Sequence, residues 1–425
     1  MLTNALGYVA SWAARVGAGA AGWRSRRVPV SLAAAVLLCL GTGCGLGIPG
    51  SASGQPKSGG ESLACDVQMR PLGPKDGAWL GVSIDWAHDT LTRYAQRLGH
   101  HPAVAVTFAD MPLRPIDITD VSAAVELAHA QGSDLLLTLE PFKGLSAVDA
   151  ASIDALVGSL SQWSREGVPI VVRYAHEMNG SWYPWGQQPG AYVRSFDEVA
   201  AAVHQHVPGV AMMWAPSYGG GYPFTGGRHR ARPGSPDAAA LDTNGNGALD
   251  RSDDPYAPYY PGDSAVDWVG MSLYHWGTKY PWGKNEVPQP GKLVDELRGR
   301  YLGPGVDETI VPDFYQVYGV QHGKPVAIAE TAALYTPGGA GANELAVKRG
   351  WIDQVLSPTL VERLPRLKMV NWFEWRKYEP ETGGIVDWTA TSPGSVQRQF
   401  RSSIPDWARF GIPHPAGCAP DPAGS

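Results

Sequence analysis

From Trp79 onward, short apolar runs alternate with longer stretches of helical character. The runs are Trp79–Ser83, Ala103–Phe108, Asp134–Leu139, Pro169–Arg173, Val210–Trp214, Asp267–Ser272, Pro325–Ala329 and Lys368–Phe373. Each is apolar almost without interruption, which suits strands buried on both faces, as in a parallel sheet. Helix signals fill the gaps. Thr119 is the expected cap of a segment ending near Gln131. Ser195 to Glu198 has capping-box spacing ahead of Val199 to His206, and Asn343 is placed to cap Glu344 to Leu356. Eight alternating units over one continuous stretch predict an α/β fold, a single (β/α)8 TIM barrel. The alternative, a doubly wound open sheet, lacks its Gly-rich phosphate fingerprint after the first run.

The N-terminal region has a different pattern. Residues 1–27 carry Arg15, Arg24, Arg26 and Arg27 and no acidic residue, and Val28 to Leu40 is apolar. That order describes an export signal, with an uncleaved membrane anchor or lipid attachment at Cys44 as variants. Residues 45–64 are rich in Gly, Ser and Pro and read as a tether. The expected organisation is therefore 1–44 signal or anchor, 45–64 tether and 65–425 catalytic domain, outside the cytoplasm or at the cell surface. Of the four cysteines, Cys65 and Cys418 fall at the two ends of that domain. In an oxidising compartment they are expected to form a disulfide, contributing about 4–5 kcal/mol in the chain-entropy picture.

Composition narrows the function. The 425 residues are 44% hydrophobic and 17% charged, with a net charge of -6, so there is no global field to attract nucleic acid. The 16 Trp and 17 Tyr offer flat faces suited to the CH faces of sugars.

In a barrel, chemistry lies at the carboxyl ends of the strands. Here the apolar runs lead into polar clusters, with Glu140, Glu177, Glu330 and Glu374 each at or just beyond a strand end. Glycoside hydrolysis needs two carboxyls, one to protonate the leaving oxygen and one to attack the anomeric carbon or activate water. Position alone does not choose which two. Arg173, His176 and Asn179 lie close to Glu177 and can orient carboxylates or hydroxyls. Trp182, Trp185, Tyr274, Trp276 and Trp375 can contact sugar rings.

The run Arg173-Tyr-Ala-His-Glu-Met-Asn-Gly-Ser-Trp-Tyr-Pro-Trp-Gly186 closely resembles the acid/base motif of glycoside hydrolase family 26. Trp214-Ala215-Pro216, Trp268 to Tyr274, Pro325 to Thr331 and Asp387-Trp388 resemble further segments of that family, which contains β-mannanases and some β-glucanases and β-xylanases. The resemblance implies Glu177 as general acid/base and Glu330 as nucleophile. It also implies Trp182 stacking at the reacting subsite, Tyr274 hydrogen-bonded to the nucleophile, and double displacement with retention. It implies a β-linked polysaccharide substrate and no cofactor for catalysis. Tyr174-Ala175, Thr331-Ala332 and Ser272 depart from the usual pattern, so mannan specificity does not follow. A carbohydrate-binding pseudoenzyme and a transglycosylase acting on the producer's own exopolysaccharide are the competing expectations. A monomer is expected.

A second motif lies between the fifth and sixth runs. Asp242, Asn244, Asn246, the Ala248 carbonyl, Asp250 and Asp253 follow the spacing of a calcium-binding loop, with Gly247 at its sharp turn. A structural Ca²⁺ is expected there.

Overall fold

A computed structural model of the chain describes residues 71–413 except Lys279. The signal or anchor segment, the tether, Cys44, and the Cys65–Cys418 pair lie outside the described residues. No described helix is long and apolar enough to cross a membrane.

Eight parallel strands form a closed barrel. They are β1 (Ala78–Ile84), β2 (Val104–Asp110), β3 (Asp134–Glu140), β4 (Ile170–Tyr174), β5 (Ala211–Trp214), β6 (Trp268–Ser272), β7 (Val326–Thr331) and β8 (Leu367–Glu374). Each pairs with the next, and β8 returns to β1 with Trp79 opposite Met369 and Ile84 opposite Glu374. The expected (β/α)8 barrel is the observed fold, and every strand lies within two residues of its apolar run. Residues Ala408–Arg409 add a short pairing on β1.

The apolar runs fill the barrel from within. Val104, Val106, Leu136, Val171, Met213, Trp268, Ala327 and Met369 form one buried cluster. Close packing allows little spare volume there. A Cβ at Gly270 would come within 2.8 Å of Met213 Sδ, so β6 uses glycine to admit that side chain.

The helices include α1 (Leu91–Leu98), α2 (Pro115–Gln131), α3 (Ala150–Ser164) and α4 (Pro189–His206). Two helix starts differ from expectation. The α2 helix begins at Pro115, whose fixed φ suits a first turn, and Asp117 closes the box by accepting from the Arg114 N–H. Thr119 is interior and donates back to the Pro115 carbonyl at 3.1 Å. Likewise α4 begins at Pro189, and Ser195 lies inside it, buried, 2.6 Å from the Tyr174 hydroxyl. Both prolines provided stronger start signals than the polar residues downstream. Asn343 does cap the helix Glu344–Val355, accepting from the Ala346 N–H at 2.9 Å.

Candidate active site

The strand ends β4, β6 and β7 bring the site together. Just past β4 the backbone turns through two strained residues, Ala175 (φ 45°) and Glu177 (φ 55°). Non-glycine residues rarely adopt this left-handed region, at a cost of order 1–3 kcal/mol each. Two hydrogen bonds hold the turn. The Ala175 N–H donates to the Leu139 carbonyl at 2.9 Å, and the Glu177 N–H to the Ala215 carbonyl at 2.8 Å. The loop is thus tied to the strands on either side of β4.

Arg173, on β4, is fully buried. One terminal N–H donates to Glu330 Oε1 and the other, at 2.8 Å, to Ser272 Oγ. Ser272 and Glu330 are register partners across β6 and β7, so one guanidinium spans both. The second oxygen of Glu330 accepts from the Tyr274 hydroxyl at 2.7 Å. Two donors, one cationic, on two separate oxygens suit a carboxylate anion. Burial, then the charge of Glu330, push the Tyr274 hydroxyl well above its usual range, so it remains a proton donor.

Glu177 sits in a different environment. Its Oε2 accepts from the Trp182 indole N–H at 2.9 Å. Burial, reinforced by the nearby charge of Glu330, raises its carboxyl to about 7. Arg173, Ser272 and Trp182 pull in the opposite direction without overcoming that rise. The indole reaches Glu177 because Gly180 lies beneath it. A Cβ there would stand 2.3 Å from the Trp182 ring.

Several other candidates turn out to build the site rather than face it. Asn179 is fully buried and makes a two-way clasp with Ser217, donating to its carbonyl at 2.8 Å and accepting from its N–H at 2.9 Å. Trp185 is fully buried, donates to the His176 carbonyl at 2.7 Å and stacks on Tyr183 at 4.2 Å. Neither presents a face to a ligand, because the loop folds back on itself through Gly186. Burial, then the Arg173 charge, push the His176 imidazole well down, so it stays neutral and 3.3 Å from the Tyr183 hydroxyl. Trp276 and Trp282 are half-buried and 6.5 Å apart, and Trp276 also packs on Trp388 at 5.0 Å. Trp375 is half-buried and stacked on Phe373.

The structure also separates the rival carboxylates. Glu374 is taken by the loop after β8, accepting from the Ala390 and Thr391 N–H groups at 2.7 and 2.9 Å. Glu140 is buried at the end of β3. Ser272 reads in the sequence as a departure from the usual pattern. Here it is the second partner of Arg173, which residue type alone does not reveal.

The Asp242–Asp253 loop folds through side-chain turns. Asn244, Asn246 and Asp250 each accept the N–H two residues on, at 2.8–2.9 Å. Asp242 accepts from the Gly247 N–H at 2.8 Å, and Asp253 accepts from the Thr243 N–H at 2.8 Å. No group of three His, Cys, Asp or Glu is gathered for a metal among the described residues.

The model of glycosyl hydrolase family 26 matches residues 140–208, the segment holding Arg173, Glu177 and Trp182. Endoglucanase H of Acetivibrio thermocellus is 25% identical over 218 residues, covering 50% of this chain and 21% of that protein. The chain thus spans about a fifth of that relative. Among solved structures, an endo-beta-1,4-mannanase from Cellulomonas fimi aligns over 79% of this chain and 72% of its own, with 16% identity and a TM-score of 0.49. GH26C from a Muricauda species aligns over 79% and 88%, with 14% identity and a TM-score of 0.49.

Proposed function

We propose that this chain, whose residues 140–208 match glycosyl hydrolase family 26, hydrolyses β-linked polysaccharide within the chain and with retention of configuration. The observation that carries the reading is the contrast between two carboxyls at the ends of β4 and β7. Glu330 is held by a guanidinium and a phenol, as a nucleophile that must be anionic needs. Glu177 is pushed up to about 7 by burial and by Glu330, as a general acid near neutrality needs.

The steps follow from these roles. A β-linked sugar lies with its anomeric carbon against Glu330 and its glycosidic oxygen against Glu177. Glu330 attacks the carbon while Glu177 gives its proton to the departing oxygen, leaving a glycosyl ester on Glu330. The charge of Glu330 is lost in that ester, which lowers the proton affinity of Glu177. Glu177 then takes a proton from water, which attacks the same carbon and releases Glu330. This double displacement requires carboxyls about 5–5.5 Å apart. Arg173 and Tyr274 hold the nucleophile in place throughout and exclude alternative rotamers.

The similarity to a protein named an endoglucanase supports a β-glucan or related β-polymer, and β-mannan remains within the family's range. The test is release of reducing ends from mannan, glucomannan, mixed-linkage glucan, xylan and bacterial exopolysaccharides, with Glu330→Ala as control. Release on one polymer, lost in the control, supports the reading. Binding without release, by wild type and control alike, favours a carbohydrate-binding pseudoenzyme. The export address predicts action outside the cytoplasm, at the surface or beyond. We propose further that the Asp242–Asp253 loop is a calcium clip on the long β5–β6 connection, structural rather than catalytic.

A further inference from the structure

A second cavity of about 170 Å³ adjoins the catalytic centre and shares one wall with it, Tyr274. Its other walls include Tyr218, Trp276, Trp282 and Tyr301, and its polar groups are Lys292, Glu296 and Glu308, with Arg251 and Asp307 at the rim. The helix Lys292–Leu297 carries the first two one turn apart, and Glu308 follows a short hairpin, Leu302–Gly303 with Val306–Asp307.

Lys292 has no donor to spare. An ammonium has three N–H groups. Its neighbours are the Gly277 carbonyl at 3.0 Å, His275 Nδ1 at 3.4 Å and Glu296 Oε1 at 3.5 Å. The other oxygen of Glu296 is buried with no hydrogen-bond partner, although the residue is only 4% exposed. Glu308 accepts the Tyr218 hydroxyl at 2.9 Å on one oxygen. Among the described residues, Glu296 and Glu308 therefore face one buried cation, Lys292, with Arg251 and Asp307 of opposite charge at the rim. Burial raises both carboxyls, Glu296 to about 8 with the charge of Glu308 adding to the rise, while Lys292 and Arg251 pull Glu308 back down. A buried acceptor without a donor is costly. The unpartnered Glu296 oxygen is sealed from the cavity, so the acceptor a cationic group bearing several N–H donors can reach is Glu308, which lines the pocket. The aromatic walls suit a sugar ring.

We propose that this pocket is a subsite for an amino sugar, whose free ammonium is held by Glu308 while its ring packs on the aromatic wall. The inference rests on the reading of the adjoining cleft as a polysaccharide hydrolase and specifies its substrate. The preferred polymer contains β-linked hexosamine with an unacetylated amine. An N-acetyl group removes the charge and enlarges the substituent, so it fits less well.

The test is calorimetric binding at pH 7 to the full chain carrying Glu177→Gln, so that no turnover intervenes. The probes are glucosamine tetramers of β-1,4 and β-1,6 linkage, their fully N-acetylated forms and mannotetraose. One amine tetramer is expected to bind on the order of tenfold tighter than its acetylated form. Adding Glu308→Gln is expected to abolish that preference, lowering affinity for the amine tetramer on the order of tenfold and for the acetylated tetramer far less. Glu308→Asp, which keeps the charge, should retain part of the preference and guards against loss of fold. Equal binding of amine and acetylated forms, or a preference indifferent to Glu308→Gln, overturns the subsite. If wild type cleaves a neutral polymer and no amine preference exists, the hydrolase reading survives alone. If the amine preference exists and no polymer is cut, the subsite survives alone.

Discussion

Arg173 and Glu330 form a buried ion pair that ties the end of β4 to the end of β7, with Ser272 as its third member. The pair bridges the two strands that carry the carboxyls, so its geometry fixes one partner of the reaction relative to the other. Removing one member of a buried pair leaves the other's charge without compensation, which typically destabilises by about 3–5 kcal/mol. Arg173→Met is therefore expected to lower the melting temperature and to reduce kcat by at least about 10². Thermal melts and kinetics on the same preparation check this. An active, equally stable variant would remove Arg173 from the nucleophile's support.

The pH profile follows from Glu177. The proposed mechanism needs its carboxyl protonated, and burial pushes that carboxyl up to about 7. Activity is then held below that value and lost as pH rises through it, about tenfold per unit well above it. The alkaline limb of kcat/KM measures this. Trp182→Phe keeps the ring but removes the indole donor, which helps hold the Glu177 carboxyl down. The limb is expected to move to higher pH. A limb that stays in place would mean that Glu177 is not the titrating group.

Leaving-group dependence separates the two carboxyls. Glu177→Ala is expected to slow natural polymers far more than activated aryl glycosides, because a good leaving group departs without a proton. Glu330→Ala is expected to abolish both while the chain stays folded. Equal losses for Glu177→Ala on both substrate types would count against acid catalysis.

Much of this was legible before the structure, and the reasons differ by element. The eight strands are short apolar runs whose burial on both faces leaves an unmistakable pattern, so their limits fall within two residues. The run from Arg173 to Gly186 singles out Glu177 by resemblance, but residue type alone does not reveal that Asn179 and Trp185 are buried within the loop. Helix starts were less legible. Arg114 and Gln188 precede the prolines that begin α2 and α4, and neither is a usual cap, so Thr119 and Ser195 carry the more familiar cap signal. The Lys292, Glu296 and Glu308 cluster left no signal at all. Its members come from a helix and a hairpin in the longest connection after β6, and only tertiary packing brings them to Tyr218 and the cleft.

Calcium is tested by chelation. An ion bound only to the folded chain stabilises it by mass action. EDTA treatment is expected to lower the melting temperature by several degrees, with recovery on adding Ca²⁺ and not Mg²⁺, which demands stricter octahedral geometry. Activity of the surviving folded fraction should not change. No shift on chelation, with no metal in the purified protein, would remove the clip.

Asn179 decides between binding and building. Its side chain makes both bonds of a clasp with the Ser217 backbone, and that segment leads on to Ser272 through the bridge between Ser217 and Ser272. It has no exposed surface. Asn179→Ala leaves a buried N–H and a buried carbonyl without partners, at about 1–3 kcal/mol each. A marked drop in melting temperature is expected, with kcat reduced through a looser Ser272 and Arg173 and with KM little changed. Asn179→Asp keeps the acceptor for the Ser217 N–H but loses the donor to its carbonyl, so it should fall between wild type and Asn179→Ala in stability. A raised KM at unchanged stability would instead place Asn179 against the sugar, and the clasp would then be incidental to its role.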